Sequence, residues 1–318
     1  MDIGLSKWEP GDGKLATRLG ATWGHQFAFL DDGTPDLRET LAEMLDAGCK
    51  PVFDCRTSME VLSALLYDPE GKPHPDRQPA FDWYAGEVLA FLDLHLAVHD
   101  VELWASPECP MLAPGQCLSI DYGGLLSAVY AKVKAERPDV TVWTGGFGTM
   151  ADTRFLAECL CGYSPRAFDV CNMHPCLTPQ GDLEEDLGTL REGFARARAL
   201  LDERCGGQPL RSTAFGVPTT HAGRPDPTMG QFHRSAMDKQ RLLPEEEALP
   251  WWEGSLREMA VAGFEAVCLL ARDWRDPADR SQNHSGLLRR NGQEKAFLGA
   301  LVEALPEVCN PTKEKGGE

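Results

Sequence analysis

Side chains that can transfer protons, form ion pairs or stack on a ligand lie where buried strands are predicted to end. They are His25, Asp54, Arg56, Trp104, Glu108, His174, Asp273 and Trp274. The most prominent stretch is Val101–Glu108, which begins with alternating apolar residues and reaches Trp104 and a turn at Pro107. Acids, histidine and arginine can take up hydroxyl groups and protons, while aromatic rings pack on the C–H faces of sugars. This set of residue types is typical of a carbohydrate-binding pocket.

These residues meet only if parallel strands bring their carboxyl ends to one face. Apolar runs alternate with helical patterns along the chain. Strands are predicted at 3–8, 21–29, 50–56, 101–104, 140–147, 168–174, 210–218 and 264–274. Helices or helical links are predicted at 13–20, 36–47, 81–96, 121–137, 152–161, 183–204, 244–262 and 294–305, with loops at 68–79 and 219–243.

Eight strand–helix repeats within 318 residues predict an α/β fold, a single (β/α)8 TIM barrel. The barrel is predicted over residues 1–309, with a disordered tail at 310–318. An open doubly wound sheet is the alternative, which is disfavoured because no Gly-x-Gly-x-x-Gly turn follows the first strand. Since active sites of barrels lie at the carboxyl ends of the strands, the residues above are expected round one mouth.

The composition excludes some partners. A net charge of -18 argues against nucleic acid and anionic membranes, and no apolar run is long enough to span a bilayer. The first residues lack a basic region followed by an apolar one, so no secretory signal is predicted. We therefore expect a protein that is cytoplasmic as synthesised, or one that leaves the cell by lysis or as part of a virion.

The eleven cysteines form no regular spacing, which is not a disulfide framework. Cys55, Cys171 and Cys268 lie in apolar runs and are predicted to be reduced and buried. Cys109 and Cys117 flank a loop rich in proline and glycine. The sequence leaves open whether these two cysteines form a disulfide. Because there is no Cys-x-x-Cys or His-Glu-x-x-His spacing, we expect neither a metal nor a cofactor.

Short motifs occur in a fixed order along nearly the whole chain. They are Trp104-Ala105-Ser106-Pro107, Asp121-Tyr122, Val142–Gly146, Phe168-Asp169-Val170 with His174-Pro175, Thr213-Ala214-Phe215-Gly216 and Gly286-Leu287-Leu288. In this order they resemble the large clan of retaining (β/α)8 glycoside hydrolases, which includes β-xylosidases and endoglucanases. In that clan a Trp-Asn-Glu-Pro motif ends the fourth strand and a Thr-Glu-Phe-Gly motif ends the seventh. The resemblance implies a TIM barrel with a sugar site at its mouth.

The departures from the clan concern its reacting residues. The positions that match the acid/base glutamate and the nucleophilic glutamate are Ser106 and Ala214. The preceding asparagine is Ala105, and the tyrosine that follows the sixth-strand His-Pro is Cys176. Retaining hydrolysis needs two carboxyl groups about 5–5.5 Å apart, and neither serine nor alanine can supply one. The resemblance therefore implies a protein with the glycosidase fold that lacks the two carboxyl groups needed for hydrolysis.

Three functional hypotheses follow. The first is a catalytically inactive barrel that recognises carbohydrate or serves as a structural module. A virion tail or surface protein, in contact with a host glycan or with other structural chains, is a natural setting for it. Its substrate-binding residues would be His25, Arg56, Trp104, His174 and Trp274.

The second hypothesis is an active hydrolase, inverting or otherwise altered, that uses Asp54, Glu108 or Asp273 at a separation of roughly 6.5–9.5 Å. Against it, Asp54 and Arg56 form a predicted ion pair at the rim, and Glu102 is predicted to be an inward structural acid with a basic partner. The third hypothesis is an assembly protein whose mouth binds nothing.

Overall fold

The computed structural model describes residues 1–31, 35–70, 72–104, 119–147, 154–161, 167–175, 179, 182–220, 243–273 and 285–311. Their strands are β1 Asp2–Ser6, β2 Trp23–Phe29, β3 Lys50–Arg56, β4 Asp100–Leu103, β5 Thr141–Thr144, β6 Cys171–Asn172, β7 Leu210–Phe215, β8 Thr219–Thr220, β9 Leu243–Pro244 and β10 Phe264–Leu270. Their α-helices are α1 Gly13–Leu19, α2 Arg38–Asp46, α3 Met59–Leu66, α4 Gln78–Leu94, α5 Ser119–Glu136, α6 Arg154–Cys161, α7 Leu183–Arg204, α8 Leu249–Val261 and α9 Leu298–Val308.

The sheet closes on itself. Its eight strands are parallel in the order β5-β4-β3-β2-β1-β10-β7-β6. Parallel bridges from Trp143 to Val170 and from Phe147 to Met173 join the two ends, β5 and β6. Helices of the described residues lie between consecutive strands, as right-handed crossovers of parallel strands require. The predicted (β/α)8 barrel is confirmed.

The barrel interior has an apolar lower layer. It consists of Trp23, Val52, Trp143, Val170, Ala266 and Cys268, which pack on one another separately from the larger core beneath the helices. Two residues beyond this layer, β2 and β3 each place a polar side chain on the same inward face, because side chains alternate along a strand, and β4 places another beside them. These polar positions are His25, Asp54 and Glu102, and all three are buried. The upper half of the interior is therefore polar.

The outer core attaches the helices to the barrel. Trp252 of α8 is fully buried, and its ring centroid lies 5.2 Å from that of Phe215 and 5.6 Å from that of Phe297. Burying an aromatic side chain of this kind contributes roughly 1.5–3 kcal/mol. Trp252 thus anchors α8 to β7 and to the residue just before α9.

Several predicted elements differ in extent. Strand β3 and helix α7 have the predicted bounds, but α3 was not predicted, because Met59–Leu66 is a short apolar run next to a proline-rich loop. The predicted helix at 244–262 is two elements: a 3-10 turn over Glu245–Glu247 and then α8. Glu245 is buried and forms an ion pair with Arg289.

The predictions about the cysteines, the long loop and the tail concern residues of which the structure describes only some. Cys55, Cys171 and Cys268 are free and buried, as predicted. Cys109, Cys117, the loop at 221–242 and the tail at 312–318 lie outside the described residues. In the described part of the chain, every helix is too short or too polar to cross a bilayer.

Candidate functional site

Most of the predicted site residues gather at the carboxyl end of the barrel. The described ones are His25, Asp54, Arg56, Trp104, His174, Ala214 and Asp273, while Ser106, Glu108 and Trp274 lie outside the described residues. The described residues divide into a buried hydrogen-bonded network and a partly exposed rim. Sequence reasoning predicted their common location but not this division.

Glu102 is the centre of the buried network. Its side chain is fully buried, and its Oε2 accepts a 2.7 Å hydrogen bond from the hydroxyl of Thr213 on β7. Its Oε1 accepts a 3.0 Å hydrogen bond from the backbone N–H of Gly146, just after β5. Glu102 also lies next to two imidazoles, with Nε2 of His25 at 3.2 Å and Nε2 of His174 at 3.7 Å. It is the inward acid that the sequence predicts, but its hydrogen-bond donors are a hydroxyl and a backbone N–H rather than the predicted basic partner.

The bonds of Thr213 fix the protonation of His174. The Thr213 hydroxyl donates its one proton to Glu102, so its 2.8 Å contact with Nδ2 of Asn172 and its 2.7 Å contact with Nε2 of His174 are both accepted bonds. His174 therefore carries its proton on Nε2. Burial lowers the pKa of His174 to about 4, which keeps the ring neutral at pH 7.

His25 lies beneath the rim on the other side of Glu102. Its Nδ1 is 3.0 Å from the hydroxyl of Ser6, and the side chain is 1% exposed. Nε2 lies 3.2 Å from Glu102 but outside hydrogen-bonding angles, so this nitrogen has no hydrogen-bond partner among the described residues. Burial lowers the pKa of His25 to about 3. Both histidines predicted to touch substrate are thus neutral and buried.

Asp54 and Arg56 form the predicted ion pair on β3. Nε of Arg56 donates a 2.7 Å hydrogen bond to Oδ2 of Asp54, and Nη2 donates to the same oxygen. Burial raises the pKa of Asp54, and Arg56 opposes this shift. The carboxyl group is fully buried, whereas the Arg56 side chain keeps 24% of its surface exposed. Asp54 therefore holds Arg56 at the rim.

An aromatic pair on β2 extends this rim. The Arg56 guanidinium lies 4.1 Å from the ring centroid of Phe27 and 5.8 Å from that of Phe29. Phe29 is 55% exposed and so presents a large apolar face to solvent. Sequence reasoning missed both phenylalanines, although they continue the period-two alternation that begins at His25.

Trp104 takes an unexpected position. It has a positive φ of 64°, which a residue other than glycine adopts rarely, and this turns the chain at the end of β4. Its ring packs at 6.2 Å from that of Tyr84 on α4, and only 6% of its surface is exposed. Trp104 is therefore part of the core between barrel and helix and offers little accessible ring surface to a ligand.

Asp273, at the end of β10, forms a buried ion pair. Nζ of Lys295 lies 2.7 Å from Oδ1 of Asp273 and donates a 2.8 Å hydrogen bond to Thr219. Backbone N–H of Gly286 donates to the same aspartate oxygen at 3.1 Å. Asp273 thus connects the last strand to the segment that begins at Ser285.

Ala214 lies at the carboxyl end of β7, where the resemblance places a nucleophilic glutamate. A register shift between β10 and β7 occurs beside it, and the Ser212 hydroxyl donates a 3.2 Å hydrogen bond to the Ala214 carbonyl. The alanine is 6% exposed. The side chain at this strand end is therefore a methyl group instead of the carboxyl group of a nucleophilic glutamate.

No protein-family model matches the chain, and a search of the curated proteins finds no match. Solved structures do match. A family 39 glycoside hydrolase from Bacteroides cellulosilyticus WH2 has a TM-score of 0.69 at 16% identity over 98% of this chain, which spans 64% of that protein. A glucosidase from Croceicoccus marinus has a TM-score of 0.65 at 12% identity over 96% of this chain and 67% of its own.

Fungal β-1,4-galactanases match as well, with a TM-score of 0.62 at 13% identity over 93% of this chain and 91% of theirs. At these identities the likeness concerns the fold. The chain is a glycoside-hydrolase-like barrel, as its motifs predict, and it covers less than two thirds of the length of the Bacteroides enzyme.

Proposed function

We propose that this barrel binds carbohydrate at its mouth without hydrolysing it. The observation that carries the proposal is Ala214 at the end of β7, because a methyl group cannot attack an anomeric carbon. Ser106, which corresponds to the acid/base position, lies outside the described residues, and its hydroxyl is no general acid at neutral pH.

The described acidic side chains in the upper part of the barrel already form ion pairs or hydrogen bonds, which supports the same proposal. Asp54 pairs with Arg56, and Asp273 pairs with Lys295. Glu102 accepts bonds from Thr213 and Gly146 deep in the barrel. A general acid has to reach a glycosidic oxygen, and a carboxyl group that is buried and already engaged in such contacts is poorly placed to do so.

Binding would use the rim formed by Phe27, Phe29 and Arg56. The exposed ring of Phe29 can pack on the C–H face of a sugar, and the guanidinium can donate to its hydroxyls. Trp274 lies four positions after the last residue of β10 and outside the described residues, and it is proposed to contribute a second ring. A virion tail or surface protein remains the setting in which a glycan-binding barrel of this kind would serve attachment.

Two measurements on the full chain test the proposal. A panel of aryl β-glycosides should release no aryl alcohol above the buffer rate, and a glycan array should show binding that Trp274→Ala removes. Turnover that Glu108→Gln abolishes would instead make the chain an active hydrolase with an unusual carboxyl group. A blank array together with no turnover would favour the assembly role.

A further inference from the structure

Three buried ligand-type side chains converge inside the barrel. They are His25 on β2, Asp54 on β3 and Glu102 on β4, and one ligand atom from each lies within 4.8 Å of the other two. The register pairs these strands side by side, with Phe27 of β2 opposite Asp54, and Asp54 opposite Glu102. Each side chain is at most 1% exposed. The cluster is thus a property of three adjacent strands.

We propose that His25, Asp54 and Glu102 form a buried site for a divalent cation, of the Zn²⁺ type, to which these three side chains supply the protein ligands. Nε2 of His25 has no hydrogen-bond partner among the described residues, and it faces Oε2 of Glu102 at 3.2 Å. Donor atoms lie about 2.1 Å from a zinc ion. When the donor–zinc–donor angle is between a right angle and the tetrahedral angle, two such donors are about 3.0–3.4 Å apart. The observed separation falls in this range.

The surrounding residues orient the three ligands. The Ser6 hydroxyl contacts Nδ1 of His25, which leaves Nε2 facing the two carboxyl groups. Thr213 donates to one oxygen of Glu102, and the N–H of Gly146 donates to the other. Hydrogen bonds to the remote nitrogen of a ligating histidine and to ligating carboxylates are what metal sites use to fix their ligands.

Two carboxyl groups share the site. Asp54 pairs with the Arg56 guanidinium, whereas Glu102 accepts its hydrogen bonds from neutral groups, the Thr213 hydroxyl and the Gly146 N–H. Two ionised carboxyl groups this close together repel each other. Either a cation or an added proton can relieve the repulsion, and an experiment distinguishes them.

The site differs from the sugar site in depth and in chemistry. Its three side chains are buried, whereas Phe29 and Arg56 keep exposed surface at the rim. A catalytic zinc keeps a position open to substrate, whereas a buried ion that substrate does not reach stabilises the fold. An imidazole nitrogen among the ligands favours Zn²⁺ over Mg²⁺.

Zinc uptake by the full chain tests the proposal. After removal of metal with a chelator, the protein is titrated with Zn²⁺ against a chromophoric competitor, and its melting temperature is followed. We expect one zinc ion per chain and a higher melting temperature. Ser6→Ala, which removes only the contact to Nδ1 of His25, should weaken binding by about tenfold or more. His25→Gln should remove it.

The matched control is His99→Gln. His99 is an exposed histidine that also pairs with a carboxylate, Asp139, at 2.8 Å, and its replacement should leave zinc uptake unchanged. Near-UV circular dichroism reports whether each variant keeps the wild-type packing. If a core variant fails to fold, X-ray absorption at the zinc edge of the wild-type protein still decides, because it identifies the donor atoms.

A first shell of one imidazole nitrogen with oxygen donors supports the site. Sulfur donors would place the metal on cysteines and overturn the proposal. So would uptake that His25→Gln leaves intact in a folded protein. If the wild-type chain retains no zinc, a proton shared by the carboxyl groups replaces the cation and the proposal fails.

Discussion

The hydroxyl of Thr213 donates a 2.7 Å hydrogen bond to Glu102 across the barrel, between residues 111 positions apart. The same hydroxyl accepts from Asn172 and His174. One threonine therefore links β4, β6 and the segment after β6 to β7. Loss of this hydroxyl would remove one hydrogen-bond partner each from Glu102, Asn172 and His174.

Thr213→Val should destabilise the protein because it keeps the shape of the side chain but leaves the buried Glu102 oxygen without its donor. We expect a loss of about 2 kcal/mol in the free energy of unfolding. Thr213→Ser retains the hydroxyl and should lose less than about 1 kcal/mol. Urea denaturation of the two variants measures the difference, and a loss for Thr213→Ser as large as that for Thr213→Val would contradict the leading role of the hydroxyl.

Gly145→Ala should be strongly destabilising. A Cβ at Gly145 would lie 1.9 Å from the backbone oxygen of Trp104, and a backbone atom cannot move aside as a side chain can. We expect a loss of about 3 kcal/mol or more, seen as a lower melting temperature. Gly188→Ala is the control, since helix α7 has open space there and the change should gain about 1 kcal/mol. Similar melting temperatures for both variants would contradict the close approach.

Asp100→Asn should change how stability depends on pH. Burial raises the pKa of Asp100 to about 6 from an ordinary value of 3.8, so the folded chain holds this proton more tightly than the unfolded chain does. Wild-type stability therefore falls as the pH rises from about 4 to about 6, whereas asparagine does not titrate and still accepts the 2.8 Å bond from Trp143. Relative to wild type, the variant should gain on the order of 3 kcal/mol across that window.

Guanidinium denaturation of both proteins at a series of pH values measures this gain. The difference between the two should be flat above about pH 7, where Asp100 is ionised in both states. A difference that is constant from pH 4 to pH 7 would mean that the pKa of Asp100 is not raised.

Lys295→Met should be costly because it leaves Asp273 buried without its cation. Removing one partner of a buried ion pair typically costs about 3–5 kcal/mol. The exposed pair of Arg196 and Glu192, 3.6 Å apart, supplies the contrast, and Arg196→Met should cost less than about 0.5 kcal/mol. Thermal unfolding compares the two, and the double variant Asp273→Asn with Lys295→Met should recover part of the loss.

Phe29→Ala should weaken glycan binding without lowering stability. The exposed ring buries little on folding, so its removal affects the ligand more than the core. We expect about a tenfold weaker affinity for a glycan that the array identifies, measured by calorimetry. Leu96→Ala is the control, because Leu96 is also exposed but precedes β4, at the opposite end of the barrel. Equal affinities for both variants would place the glycan elsewhere.

Much of the architecture was present in the sequence. Alternating apolar and helical segments predict the eight barrel strands, and the bounds of β3 and α7 are correct to the residue. Such patterns can be predicted because the spacing of apolar residues along a strand or helix identifies its buried face. The same reasoning places Ala214 at a strand end and predicts the Asp54–Arg56 ion pair, whose members are two residues apart on one face of β3.

Tertiary structure decided what the mouth contains. The pairings of Glu102 with Thr213 and of Asp273 with Lys295 join distant segments, so no local pattern encodes them. Trp104 follows the alternation that would point it inward, but a positive φ turns it into the core. Periodicity specifies which face of an element is buried, whereas contacts between elements depend on the closed geometry of the barrel. The type of fold could therefore be predicted from the chain, and the chemistry of its interior could not.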